Sequence, residues 1–241
     1  MENNKIRIGK AAAMLGVTAQ TLRNWEETGK LVSERSAGGQ RYYRLEDIRL
    51  FAVDLEKLAW AWAASAQPPE LHADYYCERQ DRFTSRLEKM GLLLARTDAV
   101  GENTASLLTA VAGEIGDNSF MHNLGNWPDI QGIFFAYDIT KRVIVLADRG
   151  QGVRKTLSRV RPSIIDDVAA LRTAFTEVVS GRAPEKRGNG LKVVRRIVEM
   201  HPIGLQFRSG LARAESPKQA SPLKFGMEAE NIRGAYAVIT F

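Results

Sequence analysis

The sequence has little of what disulfide or metal chemistry requires, because its 241 residues include one cysteine, Cys77, and only three histidines. A single cysteine excludes an internal disulfide framework and a multi-cysteine metal site, and three widely spaced histidines make a zinc enzyme a poor fit. No run approaches the roughly 20 apolar residues that span a bilayer, and the first residues lack an apolar signal core. We therefore expect a soluble, cytoplasmic protein.

Positive charge is in modest excess and is concentrated in two segments. The chain holds 34 Lys and Arg against 28 Asp and Glu, a net charge of +6. Residues 1–49 hold nine basic and six acidic side chains, and residues 153–196 hold eleven and four. Two separate basic segments indicate two surfaces that meet phosphate groups, although solvated helix faces would explain such counts equally well.

Residues 6–51 follow the pattern of short helices with a hairpin. Ala11 and Leu15 are apolar at helical spacing, Gly16 suits a helix C-cap, and Thr18 suits the N-cap of the next helix. This arrangement is typical of a helix-turn-helix. Its second helix directs mostly outward four residues of types that hydrogen-bond base edges or phosphates: Gln20, Thr21, Arg23 and Asn24.

These segments, with a hairpin tip at Gly38–Gly39, resemble the winged-helix DNA-binding domain of MerR-type regulators. The matching motifs are Ile8–Ala12, Gly16–Thr18, Thr21–Glu26, Gly29–Leu31, Arg41–Tyr43 and Asp47–Ile48. By this resemblance Arg23, Arg41 and Tyr42 contact the backbone of double-stranded DNA, and Gln20 and Asn24 face bases. A small module for protein contact is the alternative. Because the cysteines of metal-sensing relatives are absent, we expect a different body after residue 52.

Residues 53–100 are predicted to form a helical connector. Pro68–Pro69 break an apolar helix, and a second helix is expected from about residue 70 to 96. Its apolar residues repeat with an a/d spacing: Phe83, Leu87, Met90 and Leu94. We expect this seam to form a homodimer, as helix-turn-helix proteins commonly read two half-sites, with packing inside one chain as the alternative.

Residues 101–241 alternate helical and strand patterns, which predicts an α+β two-layer sandwich with a mixed sheet. Helices are expected at 104–123, 166–180 and 191–200, and strands at 132–138, 142–148, 203–208 and 235–241. The segment 211–225, which contains Ser, Pro, Lys and Gly, is expected to be a loop.

Three motifs in this body suggest nucleotide chemistry. Glu114 and Asn118 are four residues apart, so both project from one helix face, where a carboxylate and an amide can hold hydrated Mg²⁺. Asp148 ends a strand and can accept from an exocyclic amine, while Gly150 and Gly152 allow backbone to approach a ligand. Residues 187–191 open a helix, whose N-terminal amides favour phosphate. Each motif alone is explained as well by a solvated helix face, a hairpin turn or a helix cap.

In this order the motifs resemble the Bergerat-type ATP-binding fold of the GHKL group, which includes gyrase, histidine kinases and MutL. The resemblance implies ATP or ADP with Mg²⁺ as cofactors, Asn118 as a metal ligand beside Glu114, and Asp148 as the acceptor for the adenine amine. It places Gly150 and Gly152 at the nucleotide. It also implies a second glycine box beside the triphosphate, made of Arg187, Gly188, Asn189, Gly190 and Leu191. The basic segment 153–186 would be a lid, and Ala235 stands where many relatives have a hydroxyl.

The sequence thus predicts a DNA-binding transcription regulator in which an ATP-binding body acts on a MerR-like head. In gyrase-like and MutL-like proteins the glutamate at the position of Glu114 is a general base, so an enzyme stays open. The alternative is an ATPase, or a serine protein kinase similar to those that act on anti-sigma-factor systems, working on a partner protein. His72 lacks the neighbours typical of a histidine-kinase phosphoacceptor.

Overall fold

The computed structural model describes residues 5–15, 17–27, 29, 31–36, 38–178 and 189–241. The chain divides into two compact units, Met1–Asp54 and Leu55–Phe241. Gly16, Arg187 and Gly188, and residues 179–186 of the predicted lid, lie outside the described residues.

The first unit is a small helical module with a three-stranded antiparallel sheet in the order β1-β3-β2. Its elements are β1 (Lys5–Arg7), α1 (Ile8–Leu15), α2 (Ala19–Glu27), β2 (Glu34–Arg35), β3 (Arg41–Arg44) and α3 (Leu45–Ala52). Thr18 Oγ1 accepts from Thr21 N at 3.1 Å, so Thr18 caps α2 as predicted. Leu22 and Ile48, both fully buried, belong to the core that joins the helices to the sheet. The predicted helices and hairpin are confirmed.

The second unit has a five-stranded sheet in the order β4-β5-β6-β8-β7. Its elements are α4 (Leu55–Ala64), β4 (Tyr76–Cys77), α5 (Gln80–Ala95), α6 (Glu102–Asn123), β5 (Ile133–Asp138), β6 (Val143–Asp148), α7 (Val153–Ser158), α8 (Asp167–Thr176), α9 (Gly190–Met200), β7 (Gly204–Ser216) and β8 (Lys224–Thr240). The predicted mixed sheet is wrong for the described strands, because each neighbouring pair is antiparallel. β6 and β7 do run in the same direction, but β8 lies between them and separates them.

Helices cover both faces of this sheet. One face packs on α5, α6, α8 and α9 around a core that includes Phe135, Ile144 and Ile239. The other face packs on α4, where the rings of Trp60 and Tyr236 meet edge to face at 5.4 Å. The described part of the unit therefore has three layers rather than the predicted two, since α4 adds one.

The predicted dimer seam is buried inside the chain. Phe83, Met90 and Leu94 have no exposed surface and pack in the core, where α5 lies along α6. The approach is close enough that a Cβ on Gly116 of α6 would lie 2.1 Å from Phe83 Cζ. The expectation that this seam forms a homodimer is thus wrong, and the alternative of packing inside one chain is confirmed.

The predicted loop at residues 211–225 is mostly strand. β7 continues to Ser216, and β8 begins at Lys224. Ala212, Ala214 and Ser216 are buried at alternate positions, as in a strand with one covered face. Ser, Pro, Lys and Gly in this stretch describe the turn and the exposed positions, and they hid the alternation.

A fully buried guanidinium holds α4 to the sheet. Arg149, which directly follows β6, donates from Nη1 to the carbonyl oxygens of Trp62 at 2.5 Å and Ser65 at 2.9 Å. Its Nη2 pairs with Asp129 Oδ2 at 2.6 Å. A cation among the last carbonyls of a helix satisfies acceptors that the helix leaves open and complements its dipole.

The carboxylate of Asp129 balances this charge. Burial alone would raise the pKa of Asp129, but hydrogen bonds from Arg149 and Ile130 N, with the charges of Arg149 and Arg233, hold it below its usual value. Arg233 Nη1 also lies 2.6 Å from Asp129 Oδ2, although its side chain is 45% exposed. One carboxylate therefore joins a buried and an exposed arginine.

Replacing Arg149 by methionine should lower the free energy of unfolding of the second unit by about 3–5 kcal/mol. The variant keeps side-chain length but leaves the carbonyl oxygens at the end of α4 without their buried donor. Urea denaturation measures the change. The matched control is Arg233→Gln, which removes the exposed partner of the same carboxylate and should change stability by about 1 kcal/mol or less. Equal losses in the two variants would contradict the role given to Arg149.

Candidate functional site

The exposed face of α2 carries a chain of three predicted DNA-contacting residues. Arg23 Nη1 donates to Gln20 Oε1 at 2.9 Å, and Gln20 Nε2 donates to Asn24 Oδ1 at 3.0 Å. Gln20 and Asn24 are exposed, and Arg23 is half-buried. These bonds set the side chains side by side along one helix face, as recognition of base edges by a helix requires.

Thr21 has a second task. Its Oγ1 lies 2.9 Å from Thr18 Oγ1, and its backbone N–H donates to the same hydroxyl. The residue therefore takes part in the cap of α2, which fixes where the exposed face begins.

The two predicted wing residues are tied down by neighbours. Arg41 Nε donates to Glu26 of α2, and this hydrogen bond is the main cause that lowers the pKa of Glu26. Tyr42 is half-buried, and its hydroxyl donates to Gln40 Oε1 at 3.3 Å. A phosphate would have to compete with Glu26 for Arg41, so Arg23 is the more accessible of the two predicted arginines to an incoming backbone.

In the second unit, α6 and the start of α9 bring predicted site residues together. A Cβ placed on Gly190 would lie 2.3 Å from Glu114 Oε2 and 3.4 Å from Asn118 Nδ2. Glu114 and Asn118 share one face of α6 and are both half-buried. Only glycine at position 190 lets the first turn of α9 come this close, so the carboxylate and the amide face a helix N-terminus.

The rest of the second glycine box divides by role. Asn189 precedes α9 and is exposed, while Leu191 packs against the core and anchors the helix.

Asp148 is almost fully buried at the end of β6. Its Oδ2 accepts from Ser119 Oγ at 2.7 Å and its Oδ1 accepts from Gly150 N at 2.7 Å, with Ala235 N as a further donor. Burial raises the pKa of Asp148 to about 6, and these three hydrogen bonds oppose the rise. A carboxylate has about four acceptor positions, so one remains for another donor.

Glycines let the backbone close around Asp148. Gly234 has φ +70°, and a Cβ there would lie 2.3 Å from Asp148 Oδ1. A Cβ on Gly150 would lie 2.0 Å from Asn123 Nδ2, and Gly152 adopts φ +78° beside Ser209. The Asp-x-Gly-x-Gly pattern therefore marks a turn packed between α6 and the last strands.

Buried polar residues that the sequence argument passed over complete this turn. Asn123 Oδ1 accepts from Gln151 N at 2.8 Å, and its Nδ2 donates to Ser119 O at 2.8 Å. Ser209 Oγ accepts from Val153 N at 3.0 Å and donates to Gly234 O at 2.7 Å. Ser119 and Asn123 are one helical turn apart beside Asn118, so their spacing was a usable signal. Ser209 had none, because its partners are distant in sequence.

The donor set of this region suits magnesium better than a metal that needs several protein ligands. Glu114 and Asn118 supply oxygen donors, and Mg²⁺ is typically held by one or two such groups with substrate phosphates and water. Among the described residues, no group of three or more His, Cys, Asp or Glu side chains could hold a metal. In the same part of the chain, no helix has the length and apolar character needed to cross a membrane.

Comparison with known families identifies the first unit. The sequence profile of the family described as "MerR family regulatory protein" matches residues 7–43, which run from the end of β1 through both helices to β3. No curated protein is significantly similar in sequence to this chain. The N-terminal region of the chain is thus a MerR-type DNA-binding region.

Proposed function

We propose that this chain is a DNA-binding transcription regulator whose second unit binds ATP or ADP with Mg²⁺, and that nucleotide binding changes DNA binding. The profile match and the exposed face of α2 support the first part. Helix-turn-helix proteins commonly bind two half-sites as dimers, so the proposal includes a homodimer. Its contact surface must be other than the seam of α5.

The meeting of Gly190 with Glu114 and Asn118 is the observation that supports nucleotide binding most directly. Two carboxylate and amide side chains from α6 face the amides at the start of α9, which attract anions. Phosphate and the Glu114 carboxylate would repel each other at this helix end. A bound Mg²⁺ would supply the charge that allows both, with Asn118 and Glu114 as its protein-side oxygen donors.

Asp148 supports adenine as the base. Its one remaining acceptor position lies on a buried carboxylate that three donors hold in place. An exocyclic amine can donate there, whereas a carbonyl oxygen in its place would repel the carboxylate. A fixed, desolvated acceptor of this kind gives specificity for the base.

Adjacent residues connect this turn to α4. The Asp148 side chain bonds to α6, whereas the next side chain, Arg149, bonds to the end of α4. α4 is the first helix of the second unit and follows α3 after Val53 and Asp54. A nucleotide that shifts the turn would therefore shift Arg149 and α4. Coupling to DNA requires that the DNA-bound and free states differ in nucleotide affinity.

A catalytic function is the second candidate, and the position of Glu114 favours it. The side chain is half-buried and next to Asn118 and the start of α9, where a terminal phosphate would lie under the proposal. A carboxylate there can accept a proton from an attacking water or from a hydroxyl of a partner protein. The partner reaction would be phosphoryl transfer to that hydroxyl.

Arg23→Ala should weaken binding to mixed-sequence duplex DNA and lower the slope of log affinity against log salt by about one. The reason is that one phosphate contact and its released counterion are lost. Fluorescence anisotropy over a salt series measures both. Arg49→Ala, an exposed arginine on α3, is the control. Affinities measured with and without saturating ATP and Mg²⁺ test the coupling, and identical values would contradict it.

ATP affinity should rise as the pH rises through about 6, because ionised Asp148 is the acceptor for the adenine amine. Between about pH 5 and about pH 7.5 we expect roughly tenfold tighter binding beyond the change that ATP causes by its own titration. Asp148→Asn, checked for folding by thermal denaturation, carries only the second change and serves as the control. Parallel pH profiles for the two proteins would show that this carboxylate does not contact the base.

Glu114→Gln should lower Mg²⁺-dependent ATP turnover by about 10²–10⁴-fold while ATP still binds. The amide keeps the size of the side chain but cannot accept the proton. Asp117→Asn, an exposed carboxylate on the same helix, is the matched control and should keep its turnover. If the unaltered protein binds ATP without measurable turnover, the catalytic candidate is ruled out and the binding switch stands.

A further inference from the structure

A pocket of about 740 Å³ opens beside the turn that follows β6. The turn itself, α7, the first residue of α8 and the facing parts of β7 and β8 line it. Among the described residues, its lining includes none from α6 or α9, which carry Glu114, Asn118 and Gly190. The pocket is thus separate from the place where those three residues meet.

The side chains around this pocket are mainly basic. Four cations and one carboxylate line it: Arg154, Lys155, Arg159, Arg233 and Asp167. Arg154 lies 3.9 Å from Asp167, and Arg233 pairs with Asp129. Within the part of the chain that the structure describes, Lys155 and Arg159 form no ion pair, and Arg159 donates to the neutral Gln151. Positive charge is therefore left over at the pocket.

Bare backbone forms much of the remaining wall. Gly152, Gly210 and Gly234 line the pocket with φ values of +78°, +62° and +70°, which other residues rarely adopt. Ser209, only 3% exposed, joins the turn to β8 through its bonds to Val153 N and Gly234 O. The wall is therefore fixed before a ligand arrives, and no side chain from these glycines fills the space.

We infer that this pocket binds a phosphorylated small molecule through Lys155 and Arg159, at a site separate from the proposed ATP site. Its volume is within the usual range for small-ligand pockets, about 300–1,000 Å³, and a concave site of this size does not admit a DNA duplex. Arginine and lysine are the residues that bind phosphate oxygens, and glycine-rich backbone can approach them closely. This inference does not depend on the proposed function.

Inorganic pyrophosphate is the probe, titrated calorimetrically into the full chain without nucleotide or Mg²⁺. We expect binding that K155Q/R159Q weakens by about tenfold or more, since each variant residue removes charge-assisted hydrogen bonds to phosphate. The matched control is K89Q/R96Q, which removes the same charge from exposed positions on α5. It should bind pyrophosphate like the unaltered protein.

Three results would overturn the proposal. The first is no pyrophosphate binding by the unaltered chain, and the second is equal weakening in the two double variants, which would indicate general charge attraction. The third is loss of pyrophosphate binding in Asp148→Asn, which would merge the pocket with the ATP site. Pyrophosphate binding that survives in Asp148→Asn while ATP binding is lost would support two separate sites. Failure of ATP to bind at all would leave this pocket's test unchanged.

Discussion

The buried charge of Arg149 constrains the second unit more than any other single group. An uncompensated guanidinium in a protein interior is strongly unfavourable, so this residue needs both a carboxylate and several acceptors in fixed places. Asp129 supplies the carboxylate, and the last carbonyls of α4 supply acceptors. Satisfying one side chain thus fixes the end of α4, the segment that contains Asp129 and the turn after β6 against one another.

The same turn has opposite chemistry on its two sides because neighbouring residues of a strand point to opposite faces. Asp148 is directed to α6 and its ring of donors, and Arg149 is directed to α4. Gly150 and Gly234 then allow the backbone to pass close to Asn123 and Asp148. A change at the buried carboxylate has a short covalent route to the helix on the far face, which gives the proposed coupling a physical basis.

Phosphate recognition is the theme that connects both units. The first unit offers the polar face of α2, and the second offers the start of α9 beside Glu114 and Asn118. The basic pocket at α7 adds a third surface and accounts for part of the positive charge of residues 153–196. Charge in this chain is therefore organised into sites that differ in shape: an exposed helix face, a helix end with acidic neighbours, and a concave pocket.

Local features could be predicted from the sequence because they depend on residues that are close along the chain. Thr18 caps α2, the apolar runs before Asp138 and Asp148 are strands, and Glu114 and Asn118 share a helix face. Tertiary structure alone decided what covers each apolar surface. The periodicity of α5 requires a partner but does not say that α6 is that partner, and alternation in β8 does not say that it enters between β6 and β7. The partners of Arg149 and Ser209 are likewise distant in sequence, and only the packed chain brings them within hydrogen-bonding distance.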